Sequence, residues 1–149
     1  MIPDFDDDVI LLHGDLVFNR KTAEMVIESD KTSVIIDSTI SIPQDDFKAK
    51  VINDDVKYIG IDYFEDDAVA CQPFYKLTQN DWNQWKDKIH EFCKAGDTNV
   101  YAENALNTII NDLILNAIDL KGELCMEVDT KEDLKKVKEI LNENSLHCD

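Results

Sequence analysis

The 149-residue sequence is poor in glycine and has no cluster of it. A loop that cradles phosphate groups through its backbone N–H groups needs neighbouring glycines, because a Cβ would prevent close approach. The glycines of this chain are isolated from one another, at Gly14, Gly60, Gly96 and Gly122. The sequence therefore excludes a glycine-rich nucleotide-binding loop within these residues.

Zinc-binding spacings are missing as well. The four cysteines include no C-x-x-C pair and the three histidines no H-E-x-x-H pair, and these are common spacings in zinc sites. No apolar run approaches the roughly 20 residues that a membrane-spanning helix needs, and no signal-peptide pattern opens the sequence. A cytoplasmic location with reduced thiols is therefore expected.

Basic side chains are scarce. Fifteen lysines and arginines stand against 32 acidic residues, which gives a formal net charge of −17. A field of this sign repels nucleic acid backbones and anionic membrane surfaces, so neither is an expected partner. A phosphorylated small molecule would need a divalent cation to offset the acidic surroundings. The composition thus directs attention to carboxylates that hold a metal ion.

The apolar pattern predicts a single α/β domain over residues 1–149. Seven runs have strand character and are interleaved with helical patterns. The predicted strands are Val9–Leu12, Ser33–Ile36, Lys50–Ile52, Val56–Ile61, Val69–Phe74, Ile114–Ile118 and Leu124–Val128. The predicted helices are Thr22–Glu28, Asn80–Lys94, Ala102–Leu113 and Lys131–Asn142. For the second of them, Thr78 with Asp81 is the candidate cap and Gly96 the candidate end.

Alternating strands and helices favour a three-layer α/β/α arrangement with a mostly parallel sheet. The continuous aliphatic run Val9–Leu12 is typical of a strand buried on both faces. The segment from Lys50 to Ile59 is different, because it predicts a hairpin that turns at Asn53–Asp55. The predicted sheet is therefore mixed, although mostly parallel.

Two aspartates follow predicted strands and are candidate metal ligands. Asp15 follows Val9–Leu12 and Gly14, and Asp129 follows Leu124–Val128. Ligands of open α/β sheets bind at the carboxyl ends of strands, and Mg²⁺ takes one or two carboxylates together with water and phosphates. Taken singly, Asp15 fits a turn equally well and Asp129 fits a helix N-terminus.

Several segments, in order, resemble a known family. They are VILLHGDLVF at Val9–Phe18, DDFKAK at Asp45–Lys50, CQPFYKL at Cys71–Leu77, YAENAL at Tyr101–Leu106 and MEVDTKEDL at Met126–Leu134. Together they are similar to the C-terminal part of a nucleotidyltransferase of the nucleotide-diphospho-sugar transferase superfamily. The branch is that of phosphocholine and phosphonate cytidylyltransferases, which are also found fused to phosphoenolpyruvate mutase. The resemblance implies a partial nucleotide-diphospho-sugar transferase fold.

The resemblance also implies a reaction. A nucleoside monophosphate passes from a nucleoside triphosphate, with CTP as the candidate, to a phosphorylated small molecule, and pyrophosphate is released. The acceptor would be phosphocholine, a phosphonate or a sugar phosphate. Asp15 and Asp129 would be the catalytic metal ligands for Mg²⁺, which neutralises charge on the phosphates.

The acceptor-side residues are likewise implied by the resemblance. Lys48, or alternatively Lys50, would contact the acceptor phosphate as a catalytic point charge. Tyr101, Glu103 and Glu127 would bind the rest of the acceptor, and an aromatic face with a carboxylate suits an amine or a quaternary ammonium. Lys48, Tyr101 and Glu103 also have ordinary structural explanations, as a solvated lysine, a buried tyrosine and a first-turn glutamate respectively.

The family pattern begins with a glycine-rich loop, resembling G-x-G-x-R followed by P-K, which this chain lacks. Three readings stay open: an enzyme that works as an oligomer, one half of a split enzyme, and a non-catalytic binding or assembly remnant. An exposed sheet edge would then accept a second copy or a partner chain. His13 is expected to be a packed structural side chain. A phosphatase-like site at Val34–Asp37 is disfavoured, because Thr39 stands where a second aspartate is needed.

Overall fold

The computed structural model describes residues 5–145 of the chain. In this range the backbone forms eight strands and four helices. They are β1 (Val9–Leu12), β2 (Leu16–Phe18), α1 (Arg20–Ile27), β3 (Ser33–Asp37), β4 (Lys48–Ile52), β5 (Asp55–Gly60), β6 (Ala68–Leu77), α2 (Gln79–Ala95), α3 (Ala102–Asn107), β7 (Asn116–Asp119), β8 (Cys125–Glu127) and α4 (Lys131–Ser145). None of these helices is long and apolar enough to cross a membrane.

Strand β6 organises the main sheet. Along one edge it pairs with β3, and along the other it pairs first with β4 and then with β1. Strands β1 and β4 therefore lie end to end on the same edge of β6, with Leu12 opposite Phe74 and Lys48 opposite Ala70. Strand β4 pairs with β5, β5 meets β7, and β7 returns to β3. The sheet thus closes on itself, whereas β1 has no partner on its outer edge among the described residues.

The mixed α/β architecture is confirmed, but the prediction of a mostly parallel sheet is wrong. Among the strands of residues 5–145, only β3 and β7 pair in parallel. The alternation of strands and helices located the elements, but it carried no information about which edges meet. The three-layer arrangement is not confirmed, because the sheet closes on itself.

Strand β1 also differs from its prediction. Val9 and Leu11 pack against the main core, whereas Ile10 and Leu12 are 38% and 39% exposed. The strand lies at an edge and is covered on one face, so its continuous aliphatic sequence does not reflect burial on both faces. The strand that matches that pattern is β3, in which Val34 and its neighbours are all buried.

Local signals were more reliable than the assignment of layers. The hairpin between β4 and β5 turns at Asn53 and Asp54, whose φ angles of +52° and +67° are those of a two-residue type I′ turn. Helix α2 begins at the Thr78 cap, whose side chain accepts from the Asp81 N–H, and it ends at Gly96 with φ of +89°. The hairpin and these helix ends confirm the sequence predictions, whereas the short strand β2 was missed.

The core lies on two faces of the sheet. The larger cluster is formed by β3 to β7 with α2 and α3, and the smaller one lies under α1. Side chains of β3 alternate between them, because Val34 and Ile36 enter the larger cluster and Ile35 the smaller. This packing fixes β6 and β3, and with them the positions at which β1 ends and β4 begins.

Candidate metal and acceptor site

The gap between β1 and β4 on the edge of β6 is where the candidate site forms. The chain leaves β1 at His13, whose N–H donates to the Pro73 carbonyl at 3.1 Å, and it enters β4 after Phe47, whose carbonyl accepts from Cys71 N–H at 3.0 Å. The segments that carry Asp15 and Asp46 therefore meet at one place, because both are anchored to the same stretch of β6.

A short antiparallel ribbon brings Asp129 to the same place. Strand β2 pairs with β8, with Leu16 opposite Glu127, and the Val128 N–H donates to the Asp15 carbonyl at 3.0 Å. Strand β8 thus runs past Asp15 and ends beside it. Although Asp15 and Asp129 are far apart in sequence, both flank the side chain of Glu127.

Glu127 is the centre of the resulting cluster. Ligand atoms of Asp46, Glu127 and Asp129 lie within 4.8 Å of one another, and the same holds for a second group of His13, Asp15 and Glu127. Asp15 and Asp129 belong to different groups, which share Glu127. The predicted pair is therefore part of a set of four carboxylates and one imidazole.

The cluster concentrates negative charge. The pKa of Glu127 is raised to about 7, first by burial and then by repulsion from neighbouring carboxylates, Asp46 foremost. The pKa of Asp46 is raised as well, chiefly by burial and then by Asp129. Within residues 5–145 no lysine or arginine forms an ion pair with any of the four carboxylates. A divalent cation would relieve this repulsion.

His13 links this cluster to the acceptor-side residue Glu103. Its Nε2 lies 3.7 Å from Glu103 Oε1, and its Nδ1 lies 4.0 Å from Glu127 Oε1. The pKa of His13 is raised, mainly by the interaction with Glu103, although burial acts in the opposite direction. His13 packs edge-on against Phe47, as expected of a structural side chain, but it also lies between two carboxylates.

Glu103 is almost fully buried, with 2% of its surface exposed. Its Oε1 accepts a hydrogen bond of 2.9 Å from the Tyr75 hydroxyl, while its Oε2 has no partner among the described residues. It lines a cavity of about 250 Å³ together with Phe47, Tyr58 and Tyr101. The Tyr101 ring is half exposed and meets Phe47 edge-on, with 5.1 Å between the ring centroids. Tyr101 and Glu103 thus lie at one cavity beside the cluster.

Lys48 occupies a different environment from the one expected. It is fully buried, and its Nζ donates to the carbonyls of Gln44 at 2.9 Å and Ile61 at 2.5 Å. The Phe64 ring lies 4.1 Å from the ammonium, and burial lowers the lysine pKa. The predicted contact with an acceptor phosphate finds no support in this placement. Lys50, the alternative contact to the acceptor phosphate, is more exposed, and its Nζ lies 3.5 Å from Asp67 Oδ2.

Sequence reasoning did not assign roles in the site to Asp46 and Phe47. Both come just before β4, at its amino end, whereas ligands were sought at carboxyl ends of strands. The rule does not predict Asp46 and Phe47, because β1 and β4 lie end to end along one edge of β6. The amino end of β4 therefore meets the carboxyl end of β1. The adjacent acids Asp45 and Asp46 before a strand were the available signal.

No protein-family model matches the chain, and no curated protein matches it in sequence. Solved structures match it in fold. A Bacillus anthracis protein described as a glucose-1-phosphate thymidylyltransferase, in complex with a sucrose, is 13% identical, with a TM-score of 0.69 over 92% of this chain. The inositol-1-phosphate CTP transferase from T. maritima is 18% identical, with a TM-score of 0.66 over 93%. The CTP:phosphocholine cytidylyltransferase from Streptococcus pneumoniae is 14% identical, with a TM-score of 0.67 over 89%.

The chain spans 55%, 56% and 57% of these three proteins, respectively. At such identities the likeness concerns the fold. The nucleotidyltransferase fold that the sequence motifs indicated is therefore confirmed, over slightly more than half of the length of those proteins.

Proposed function

We propose that this chain is the acceptor-binding part of a nucleotidyltransferase, which transfers a nucleoside monophosphate from a nucleoside triphosphate to a phosphorylated small molecule. The observation that carries the proposal is the carboxylate cluster of Asp15, Asp46, Glu127 and Asp129. It lies where β1, β4 and β8 meet, in a chain with the fold of nucleotidyltransferases. A cytoplasmic location remains a prediction from composition.

Mg²⁺ is the metal that these side chains fit. Carboxylate oxygens are hard donors, and the cluster offers them without competing lysine or arginine partners in the described chain. Asp15 and Asp129 would be its ligands, as the sequence predicted, with Glu127 between them. Bound Mg²⁺ would neutralise the negative charge of the nucleotide phosphates, which this acidic surface would otherwise repel.

The reaction needs little proton chemistry from the chain. An oxygen of the acceptor phosphate forms a bond to the α-phosphorus of the triphosphate. The bond from the α-phosphorus to its bridging oxygen breaks, and pyrophosphate leaves with that electron pair. The residues of this chain would therefore act by positioning the acceptor beside the metal-bound nucleotide.

The acceptor would lie in the cavity beside the cluster. The aromatic side chains of Tyr101 and Phe47 line it, together with the buried carboxylate of Glu103, which has one unpartnered oxygen. Such an environment favours an amine or quaternary ammonium, and a cation over an aromatic ring gains on the order of 0.5–2 kcal/mol. Phosphocholine and an aminoalkylphosphonate fit this description better than a sugar phosphate. Glu127 would face the acceptor from the metal side.

The triphosphate site would have to be completed by residues outside this sequence. The sequence has no glycine cluster, and the fully buried Lys48 is held by carbonyls. Strand β1 offers an unpaired edge, in the described range, that leads directly to Asp15, with Ile10 and Leu12 exposed beside it. A second copy, or a nucleotide-binding segment outside this sequence in the same or a separate chain, would pair there. The same observations favour a second candidate function, a non-catalytic binding or assembly remnant of the fold.

Pyrophosphate release tests the proposal. The chain would be incubated with Mg²⁺, each nucleoside triphosphate including CTP, and phosphocholine, aminoethylphosphonate or a sugar phosphate. Release that requires one substrate pair and is abolished in Asp15→Ala and Asp129→Ala supports catalysis by an assembled site. The exposed Asp112→Ala variant, outside the cluster, should keep full activity.

Mn²⁺ binding separates the remaining outcomes. In one outcome the unmodified chain binds Mn²⁺ without releasing pyrophosphate, and binding is lost in Asp15→Ala and Asp129→Ala. This result would favour one half of a split enzyme or a non-catalytic remnant. Absence of Mn²⁺ binding in the unmodified chain would contradict the metal site and, with it, the proposed reaction.

A further inference from the structure

Two surface segments beside the candidate site are joined by one buried ammonium group. The segment that carries Asp45 and Asp46 precedes β4, and the segment from Ile61 onward follows β5. Lys48 reaches both, since its Nζ donates to the Gln44 carbonyl and to the Ile61 carbonyl. The two hydrogen bonds lie at the open end of the β4–β5 hairpin, where Lys48 pairs with Gly60.

The environment of this ammonium is unusual. An ammonium loses much of its hydration when it is buried, and this cost is normally offset by a paired carboxylate. Within residues 5–145 no carboxylate lies within ion-pair distance of Lys48. The charge is held by two carbonyls and by the face of the Phe64 ring. A side chain with an apolar end would avoid the desolvation cost, so the ammonium is expected to serve a purpose.

Asp46 supplies that purpose. Its carboxylate lies with Glu127 and Asp129, whose charges repel it. On its carboxyl side Asp46 is held by the buried Phe47, whose carbonyl accepts from the Cys71 N–H. On its amino side Gln44 and Asp45 are exposed, so packing does not hold that part of the backbone against the repulsion. The hydrogen bond from Lys48 to the Gln44 carbonyl fixes the backbone two residues before Asp46, and the ammonium also attracts the Asp46 carboxylate.

We propose that Lys48 is a positioning residue, whose ammonium binds the carbonyls of Gln44 and Ile61 and so holds Asp46 beside Glu127 and Asp129 as a further metal ligand. The role of Asp46 as a ligand rests on the proposed function, whereas the anchoring of the two segments does not. Lys48 would act through Asp46 and would touch neither substrate.

Lys48→Met tests the proposal, because it keeps the aliphatic part of the side chain and removes the donors. Hydrogen exchange of residues 44–47 and 61–64 should accelerate by about tenfold as these hydrogen bonds are lost. Mn²⁺ affinity should fall by about tenfold, the lower end of the range for partners that orient metal ligands. Lys57→Met, which removes an ammonium from the neighbouring strand β5, and Gln44→Ala, which keeps the accepting carbonyl, should leave both quantities unchanged.

Phe64→Ala provides a second test that does not alter the core, since Phe64 is 55% exposed. It should produce a smaller change in the same two quantities, and it decides the matter if Lys48→Met fails to fold. Unchanged exchange at residues 44–47 in the folded variants would overturn the proposal. The proposal would be supported by faster exchange at residues 44–47 and 61–64 and weaker Mn²⁺ binding, with exchange in the rest of the chain unchanged.

The exchange measurement keeps the two proposals apart. If the unmodified chain does not bind Mn²⁺, the metal site of the proposed function fails, and the anchoring of Asp46 by Lys48 is still decided by exchange. If the unmodified chain binds Mn²⁺ and Lys48→Met binds it equally well, Asp46 positioning by Lys48 is contradicted and the proposed function stands.

Discussion

The Glu127 side chain is 11% exposed and lies among three other carboxylates. Its pKa of about 7 means that it is about half protonated at neutral pH. This partial protonation of Glu127 limits its repulsion with Asp15, Asp46 and Asp129 while the site holds no cation. Metal binding would replace that proton, so the ionisation of Glu127 reports both on stability and on metal binding.

Stability should depend on the protonation of Glu127. Its pKa rises from 4.5 to about 7 on folding, so the folded state holds the proton more tightly. The unmodified chain therefore loses stability as the pH rises from about 4.5 to about 7. Without divalent metal, Glu127→Gln should be more stable than the unmodified chain at about pH 8, by up to about 3 kcal/mol. Urea denaturation at this pH and at about pH 4 measures the difference, which should vanish at the lower pH.

Glu123→Gln is the control for this experiment. The pKa of Glu123 is lowered, chiefly by its hydrogen bond with Lys21 and also by Asn19, so this carboxylate contributes stability that is present above its unfolded pKa. The substitution should therefore destabilise the chain at alkaline pH, opposite in sign to Glu127→Gln. Equal stability of Glu127→Gln and the unmodified chain at both pH values would contradict the assigned burial of Glu127.

Metal binding should release protons near neutral pH. Because Glu127 is about half protonated at pH 7, Mg²⁺ binding should release about half a proton from this side chain, and more at lower pH. Calorimetric titrations in buffers with different ionisation enthalpies measure this number. Glu127→Gln should lower the release by this amount, and a buffer-independent enthalpy for the unmodified chain would argue against Glu127 beside the metal.

At the scale of elements, the site depends on the order of β1 and β4 along β6. Neither strand alone brings two acids together, because Asp15 follows the end of β1 and Asp46 precedes the start of β4. The ribbon of β2 and β8 then adds Glu127 and Asp129 from a separate part of the chain. The hairpin that positions β4 is closed by the tight turn at Asn53 and Asp54.

This turn predicts a stabilising substitution. Asp54 has φ of +67°, which glycine adopts without a steric penalty. Asp54→Gly should stabilise the chain by about 0.5–1 kcal/mol, and the Asp54 carbonyl that accepts from Ala117 N–H is retained. Asp54→Ala should destabilise it. Thermal denaturation of both variants is the measurement, and destabilisation by glycine would show that the turn conformation differs.

At the scale of the whole molecule, the net charge of −17 is distributed over a surface with few basic residues. Mutual repulsion of these charges opposes the compact state and is screened by salt. The same field keeps anionic ligands away unless a cation or a basic partner chain is present. The acidic surface therefore fits a metal-dependent site, and a partner at the β1 edge is expected to be basic.

Salt should stabilise the chain. Raising NaCl from about 20 mM to about 500 mM shortens the screening length from roughly 20 Å to a few ångströms, and the melting temperature should rise by several degrees. Differential scanning calorimetry without divalent metal is the measurement. Sulfate is unsuitable, because it strengthens hydrophobic burial independently of charge. A melting temperature that falls with NaCl would mean that ion pairs outweigh the repulsion.

The sequence by itself determined the local features. Most strand and helix positions, the hairpin at Asn53 and Asp54 and the cap at Thr78 depend on hydrogen bonds and periodicities among near neighbours, whereas β2 and the early end of α3 at Asn107 were not predicted. The ordered motifs of the sequence indicated the nucleotidyltransferase fold. Asp15 and Asp129 were singled out in the same way, because each follows a strand. Only the tertiary structure decided that the sheet is mainly antiparallel, that β1 is an exposed edge and that Asp46 and Glu127 join the two aspartates. The physical reason is that the pairing of distant strands is set by the packing of their side chains across the core, and no short segment of sequence contains both partners.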